Sequence, residues 1–332
     1  MVKHVLKQNP DAELSTIKRI LITRIHKLLD NDKKKKRHSN NSFFSKAQLP
    51  PTTTYDRVQP HSQVPFVLSG YRQNTHTMTA CFKSIFFQWH KETVNVWTHL
   101  GGTIYFTYLF LDHVIQNVQT LDFDTFAFMC MFYVGAIMCL GFSALMHSCT
   151  NLYDFKKFEF LLMLDFVGIC VMVYASSIPG IYFGFACFPT LQVFYCLILT
   201  VLCLMSVVCS IDSETGVFGK IRVAITAGTT TFGLVPLFHW CAVMPYEEIV
   251  KFFPPTITML AMYGLGFVFY ITKFPESKFP NRFDYLGSSH QFWHLAVLAA
   301  ALLWQNTLHN FGTEEHVCPA ADVSGSSDRW FF

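Results

Sequence analysis

Three histidines and one aspartate lie in apolar parts of the sequence, where ionisable side chains are costly. His290 and His294 are four residues apart, so both rings project from one face if this stretch is helical. His147 lies near the end of one uncharged run, and Asp165 directly precedes another, residues 166–211. An ionisable group inside a membrane costs at least a few kcal/mol unless it has a partner or a water-filled cavity. Asp165 therefore indicates either a buried polar site or a structural hydrogen bond between helices.

The residue types in this set are those of a metal site. Three neutral imidazoles with an open fourth position are the ligand set of catalytic zinc sites, so we predict that His147, His290 and His294 bind Zn²⁺. Zinc lowers the pKa of a bound water to about 7, and Asp165 could orient that water or take its proton. Ser143, four residues before His147, could hydrogen-bond to the same water. The alternatives are a back-bond from Ser143 to its own helix and a structural zinc that only ties three helices together.

The overall composition argues against a soluble globular domain. Of the 332 residues, 52% are hydrophobic and only 14% are charged, and the mean hydropathy is +0.32. An average soluble domain has about 25% charged residues. The same apolar content excludes disorder over the whole length, because disordered chains are poor in apolar residues.

Membrane-spanning helices are the elements that must position these residues. Runs free of Asp, Glu, Lys and Arg cover residues 93–111, 125–153, 166–211, 223–246, 252–272 and 285–313. A spanning helix needs about 20 apolar residues, so five runs fit one span each, and the longest fits two that separate near residues 187–190. We therefore predict an all-α integral membrane protein with seven transmembrane helices. The three histidines and Asp165 then lie at similar depth near one membrane face.

Basic residues in the short loops predict the orientation of the chain. Alternate loops contain Lys156 and Lys157, then Lys220 and Arg222, then Lys273, Lys278 and Arg282. The loops between them contain a single basic residue, Lys251. The positive-inside rule places the N-terminus in the cytosol and the C-terminus in the lumen or outside the cell.

The first 65 residues are predicted to form a separate, basic and largely disordered cytosolic arm. Residues 12–30 fit a basic amphipathic helix suited to an anionic membrane surface, and Lys33–Arg37 would add attraction to acidic lipids. A solvated, disordered charge run is the alternative. The charged start lacks the apolar region of a signal peptide, so none is expected, and residues 39–65 are typical of a linker. The predicted membrane domain covers residues 66–310, and residues 311–332 form a short lumenal or extracellular tail.

The eleven cysteines are not expected to form a disulfide framework. Nine of them lie in or beside apolar runs, where they are expected to pack as small buried hydrophobes. These nine are Cys130, Cys139, Cys149, Cys170, Cys187, Cys196, Cys203, Cys209 and Cys241. The sequence contains no CxxC pair, so it has no cysteine-based zinc motif.

A set of short motifs resembles the progestin and adipoQ receptor family, which includes adiponectin receptors and haemolysin-III-like proteins. The motifs are Ser69–Arg72, Glu92–His99, Ser143-x-x-x-His147, Leu164–Gly168, Pro275-Glu276 with Phe279-Pro280, and Ser289–Gln291 with His294. They occur in the family's order between about residues 66 and 310. The stretch Tyr285–Gln291 most resembles the Golgi-resident branch that traps Raf kinase.

The resemblance implies a seven-helix fold with a cytosolic N-terminus and zinc on His147, His290 and His294, with Asp165 and Ser143 beside it. It implies a signalling receptor in the Golgi or plasma membrane, and two functions are open. One is zinc-dependent hydrolysis of a lipid amide such as ceramide. The other is a non-enzymatic Golgi tether with structural zinc, which recruits a Raf-type cytosolic kinase through the N-terminal arm. Membrane lipids and an adiponectin-like ligand are the other expected partners, and no nucleic acid is expected.

Overall fold

A computed structural model of the chain describes residues 50–211 and 217–319. These residues form nine α-helices, and within the same two ranges the extended segments make only two isolated bridges, Thr53 with Tyr71 and Thr75 with Leu152. The helices are α1 (Met78–Phe87), α2 (Thr93–Asn117), α3 (Phe123–Ser148), α4 (Phe155–Gly184), α5 (Pro189–Ile211), α6 (Val217–Phe232), α7 (Leu234–Val243), α8 (Tyr246–Thr272) and α9 (Ser289–Thr313). The predicted all-α class is confirmed for this part of the chain.

Some predictions concern residues outside the described ranges. The amphipathic helix at residues 12–30, the basic run Lys33–Arg37 and the linker up to residue 49 all lie there, as do residues 320–332 of the tail. Residues 50–65, the rest of the predicted linker, form two short 3₁₀ turns, Tyr55–Arg57 and Pro60–Ser62. These turns are attached to the connection between α3 and α4, because Ser62 Oγ donates to the Thr150 carbonyl at 2.5 Å.

Four helices, α3, α4, α5 and α8, are long and apolar enough to cross a membrane. Helices α2 and α9 have 25 residues each, but they contain more polar side chains. The predicted span at 223–246 is divided into α6 and α7 at Gly233. Pro236 accounts for the break, since it lacks the N–H that would bond to the carbonyl four residues earlier.

Short polar side chains determine where several helices begin. Asp122 caps α3 by accepting from Thr125 N at 3.0 Å, and Asp154 caps α4 by accepting from Lys157 N at 3.3 Å. Such caps bond the free N–H groups of the first turn. At the other end of α8, Lys273 adopts a left-handed conformation with φ of 51° and stops the helix.

Helix α9 lies against four other helices, α2, α3, α4 and α8. Its buried side chains recur every three or four residues from Gln291 and His294 to Leu308 and Phe311, which is the spacing of one helical face. Helices α3 and α4 approach closely and run antiparallel. A Cβ at Gly135 would lie 2.5 Å from Ala175 Cβ, and one at Gly168 would lie 3.0 Å from Cys139 Cα.

The bundle has two chemically different ends. At the histidine end, where α3 ends at Ser148 and α9 begins at Ser289, residues 50–76 and 273–288 cover the helix termini. Asp284 joins the two segments, since its Oδ2 accepts from Leu68 N at 3.1 Å, Ser69 N at 2.7 Å and Ser69 Oγ at 2.7 Å. These three hydrogen bonds to one buried carboxylate oxygen hold residues 50–76 and residues 273–288 together.

At the disulfide end, where α4 ends at Gly184 and α8 begins at Tyr246, Cys187 is bonded to Cys318. The prediction that Cys187 packs as a free hydrophobe is therefore wrong. Its partner lies 131 residues away in the C-terminal tail, and this separation gives no sequence signal. The other cysteines in the described ranges are free. Further contacts hold the same tail, because the buried Glu248 carboxylate bonds to His316 Nδ1 at 3.0 Å and to Val317 N at 3.2 Å.

Candidate metal centre

The structure brings the three predicted histidines together at the histidine end. His147 Nε2 lies 3.1 Å from His290 Nε2 and 3.1 Å from His294 Nε2. One ligand nitrogen from each of the three residues falls within 4.8 Å of the other two. His147 comes from the last turn of α3, and the other two come from the first two turns of α9. Residues about 140 positions apart therefore form one cluster that could hold a metal ion.

Hydrogen bonds on the opposite ring nitrogens fix two of the three tautomers. His147 Nδ1 lies 2.8 Å from Glu92 Oε2, and His294 Nδ1 lies 3.1 Å from the Asn95 carbonyl. A carboxylate and a carbonyl only accept, so each Nδ1 must carry the hydrogen and donate. In the neutral rings the two Nε2 atoms then present lone pairs to each other across 3.1 Å.

This arrangement fits a zinc ion. Two facing lone pairs repel each other unless a cation or a proton lies between them. Zinc binds imidazole nitrogens at about 2.0–2.1 Å with tetrahedral geometry, which implies nitrogen–nitrogen separations of about 3.3 Å. The observed separations of 3.1 Å are close to that value.

Glu92, which the sequence alone did not assign to the site, directly contacts a predicted ligand. Besides His147, it bonds to Lys91 Nζ at 2.6 Å and to Asn95 Nδ2 at 2.7 Å. Burial alone would raise the pKa of Glu92, but Lys91 and His147 outweigh it and hold the pKa well below its usual value. The carboxylate is therefore ionised. Its position one residue before a predicted span, within the motif Glu92–His99, was the only available signal.

Arg72 holds the backbone of the same ligand. Its guanidinium donates to the His147 carbonyl and to the Ser148 carbonyl, both at 2.8 Å. These carbonyls end α3 and have no partner within the helix, and a cation at a helix C-terminus is favourable. The same group also donates to Ser84 Oγ at 2.8 Å and Thr150 Oγ1 at 3.0 Å. His147 is thus fixed through its main chain by Arg72 and through its ring by Glu92.

Helix α9 is fixed at its start in a comparable way. Glu276 Oε2 accepts from Ser289 N at 2.7 Å, and its Oε1 accepts from the Ser289 hydroxyl. His99 from α2 stacks on the His294 ring with centroids 3.7 Å apart, and its Nε2 lies 3.4 Å from the His294 carbonyl. The ring of His294 therefore contacts two other rings, with His99 stacked on it and His147 packed edge to face against it.

Ser143 lies on α3 and Asp165 lies on α4. Ser143 is buried one turn from His147, and Asp165 is partly buried ten residues after the start of α4. In the antiparallel pair, Gly168 lies against Cys139. One turn further toward the histidine end, this register places Asp165 level with Ser143. The roles of both side chains at the metal centre stay predictions.

Comparison with known proteins gives a family for this chain. Residues 87–305 match the sequence family described as haemolysin-III related. An adiponectin receptor protein of Drosophila melanogaster is 32% identical over 251 residues, covering 72% of this chain and 54% of that protein. The progestin and adipoQ receptor-like protein 1 of Caenorhabditis elegans is 33% identical over 260 residues, covering 75% and 57%. The ADIPOR-like receptor IZH2 of Saccharomyces cerevisiae is 30% identical over 246 residues, covering 71% and 76%. The chain spans little more than half the length of the first two proteins.

Proposed function

The chain belongs to the progestin and adipoQ receptor family of haemolysin-III-related membrane proteins, and from this premise we propose a zinc-dependent receptor that hydrolyses a lipid amide. This proposal rests mainly on the cluster of His147, His290 and His294. Hydrogen bonds on Nδ1 already fix the tautomers of His147 and His294. Three neutral imidazoles with an open position are the set found in catalytic zinc sites. When bound, zinc would supply an activated water at neutral pH and polarise the substrate carbonyl.

Side chains of the protein would transfer the proton and orient the reacting groups. Asp165 accepts the proton of the attacking water and returns it to the leaving amine, so that water and amide become a carboxylic acid and an amine. Ser143 hydrogen-bonds to and orients the reacting groups. His294 lies five residues into α9, about 8 Å along the helix axis from its start. A lipid whose amide lies just below its headgroup would place that bond at this depth, which favours a ceramide-like substrate entering from the bilayer.

The experiment is fatty-acid release from ceramide by the purified chain, with and without a zinc chelator. Asp165→Asn is expected to lower the rate by about 10²–10⁴-fold, the range for general acid–base groups, while it keeps the metal. His239→Ala is the control, because His239 bonds to Tyr195 Oη at 2.6 Å near the disulfide end. Zinc-loaded wild type without measurable release would contradict the hydrolase.

We also propose seven spans, with α2, α6 with α7, and α9 crossing beside the four apolar helices. The histidine end would face the cytosol and the disulfide end the lumen or the outside. The Cys187–Cys318 bond supports this orientation, because disulfides persist in oxidising compartments. The positive-inside rule supports it too, since Lys156 and Lys157 lie at the histidine end. Cys187 and Cys318 should react with a membrane-impermeant maleimide added outside only after reduction. Labelling of these two cysteines from the cytosolic side would overturn the orientation.

The second candidate is a non-enzymatic receptor or tether in which zinc ties α3 to α9. It is favoured by the burial of His147 and His294 and by the hydrogen bonds that already fix both rings. A cytosolic kinase would then be recruited by the basic N-terminal arm, and an adiponectin-like ligand would meet the disulfide end. Deletion should stop at residue 49, since His61 packs against Phe158 of α4 with ring centroids 4.6 Å apart. Unchanged kinase recruitment after this deletion would contradict the tether, and fluorescence imaging would distinguish the Golgi from the plasma membrane.

A further inference from the structure

The first turn of α2 supplies none of the three candidate ligands, yet it contacts two of them. Glu92, directly before Thr93, bonds to the His147 ring, and the Asn95 carbonyl bonds to the His294 ring. The two rings belong to α3 and α9, so one turn of a third helix fixes both. The start of α2 therefore orients the cluster, and Glu92 is the charged residue directly before its first turn.

We propose that Glu92 is a positioning residue that fixes the orientation and tautomer of His147 for metal binding, and that Lys91 sets how much negative charge Glu92 presents to it. The inference rests on the proposed metal site. Carboxylates that accept from the outer nitrogen of a metal-binding imidazole orient the ring and make it a better ligand. Glu92 has this relation to His147, with 2.8 Å between Oε2 and Nδ1.

The carboxylate has little freedom to move. Its Oε1 is held by Lys91 Nζ at 2.6 Å, and its Oε2 is shared between Asn95 Nδ2 at 2.7 Å and His147. Glu92 and Lys91 are 4% and 7% exposed, so water competes poorly for these bonds and their electrostatic strength is high. A rigid acceptor of this kind gives His147 one ring orientation.

Lys91 is itself anchored by the segment that covers the histidine end. Its backbone N donates to the Gly70 carbonyl at 2.9 Å, and its Nζ lies 4.5 Å above the Tyr71 ring. The ammonium group therefore stays beside Glu92 and offsets part of its negative charge. With the ammonium removed, Asn95 and His147 would still donate to the carboxylate, and no positive charge beside it would offset its attraction for a cation at the cluster.

Substitutions at Glu92 and at Lys91 should thus have different effects on zinc affinity. Glu92→Gln keeps the length of the side chain and an acceptor oxygen but removes the charge, and should weaken zinc binding by about 10–100-fold. Lys91→Met keeps the length of the side chain and should leave zinc binding equal to wild type or tighter. A purely structural role for this pair predicts that both variants weaken binding together.

The test is a Zn²⁺ titration of the full chain in detergent against a competing chelator, with an unfolding temperature for each variant. Asp284→Asn is the matched control, because Asp284 is also buried at the histidine end but binds Leu68 and Ser69. This control should keep wild-type zinc affinity. Wild-type affinity in Glu92→Gln, or equal weakening in Lys91→Met, would overturn the inference while the metal site stands. Wild type that binds no zinc would overturn the metal site itself.

A spectroscopic measurement keeps the inference testable where Glu92→Gln folds poorly. The visible absorption bands of Co²⁺-loaded protein report on the ligand field and do not follow global stability. Glu92→Asp retains the charge with a side chain one methylene shorter, so it should bind zinc with an affinity between wild type and Glu92→Gln. Its Co²⁺ bands should shift, and those of Asp284→Asn should not. Identical bands in wild type and in the Glu92 variants would contradict a positioning role.

Discussion

The two ends of the bundle are held together by different means. At the histidine end, buried ionic groups such as Arg72, Glu92 and Asp284 form hydrogen bonds to chain segments far apart in sequence. At the disulfide end, a covalent bond from Cys187 to Cys318 and a cluster of aromatic rings hold the C-terminal tail. The first arrangement specifies ring orientations, and the second restrains the chain. Metal chemistry should therefore depend on the histidine end, and the disulfide end should contribute mainly stability.

Removing one histidine from each end should give the largest difference between the two ends. His147→Ala should abolish zinc binding, because His147 is the ring within 3.1 Å of both other histidines. His239→Ala, near the disulfide end, should retain about one zinc per chain. Zinc content by mass spectrometry checks both, and equal zinc content in the two variants would contradict the assignment.

Arg72→Met should give the next largest effect, and it acts on both stability and binding. The change removes the Arg72 donors from the His147 and Ser148 carbonyls and leaves His147 with only the Thr150 hydroxyl at 3.4 Å. An unsatisfied buried group costs about 1–3 kcal/mol. We expect a clearly lower unfolding temperature together with weaker zinc binding, since the His147 backbone loses its anchor. Full stability with unchanged affinity would show that the end of α3 does not need this cation.

Cys318→Ser is expected to lower the stability of the protein without changing its zinc affinity. Losing the bond to Cys187 should cost about 2–4 kcal/mol, the usual range for a disulfide that closes a long loop. Zinc affinity should stay within about twofold of wild type, because well-separated sites behave independently. Thermal unfolding and zinc titration on the same sample check both expectations. A large loss of zinc affinity would mean that the two ends are coupled.

The smallest expected effect at neutral pH comes from His90, whose contribution appears only as the pH falls. Burial of this ring, with Arg72 nearby, lowers its pKa to about 3, whereas the unfolded chain takes up the proton near pH 6.5. The unfolded state therefore binds this proton between these values, so the His90 contribution to stability falls by up to about 1.4 kcal/mol per pH unit between pH 6.5 and about 3. His90→Asn keeps an acceptor for the Glu92 backbone N and should flatten this slope in zinc-free protein. An unchanged slope would contradict the lowered pKa.

The sequence predicted the three candidate ligands but not the residues that hold them. His290 and His294 are recognisable from their spacing, because helical periodicity is a local property. His147 is recognisable from its position near the end of a predicted membrane span. Glu92 lies 55 residues from His147, and Cys187 lies 131 from Cys318, so neither partner is visible locally. The break between α6 and α7 was locally encoded, since Pro236 follows shortly after Gly233. Periodicity thus predicts the helices, and long-range packing determines the contacts around the candidate site.

Zinc K-edge X-ray absorption on the purified wild-type chain tests the central claim most directly. We predict zinc with about three imidazole nitrogens at about 2.0–2.1 Å and no sulfur in the first coordination sphere. His290→Ala should lose this signal while the helical content is kept. Zinc coordinated by sulfur at about 2.3 Å, or wild-type protein that binds no zinc at all, would contradict a metal centre at His147, His290 and His294.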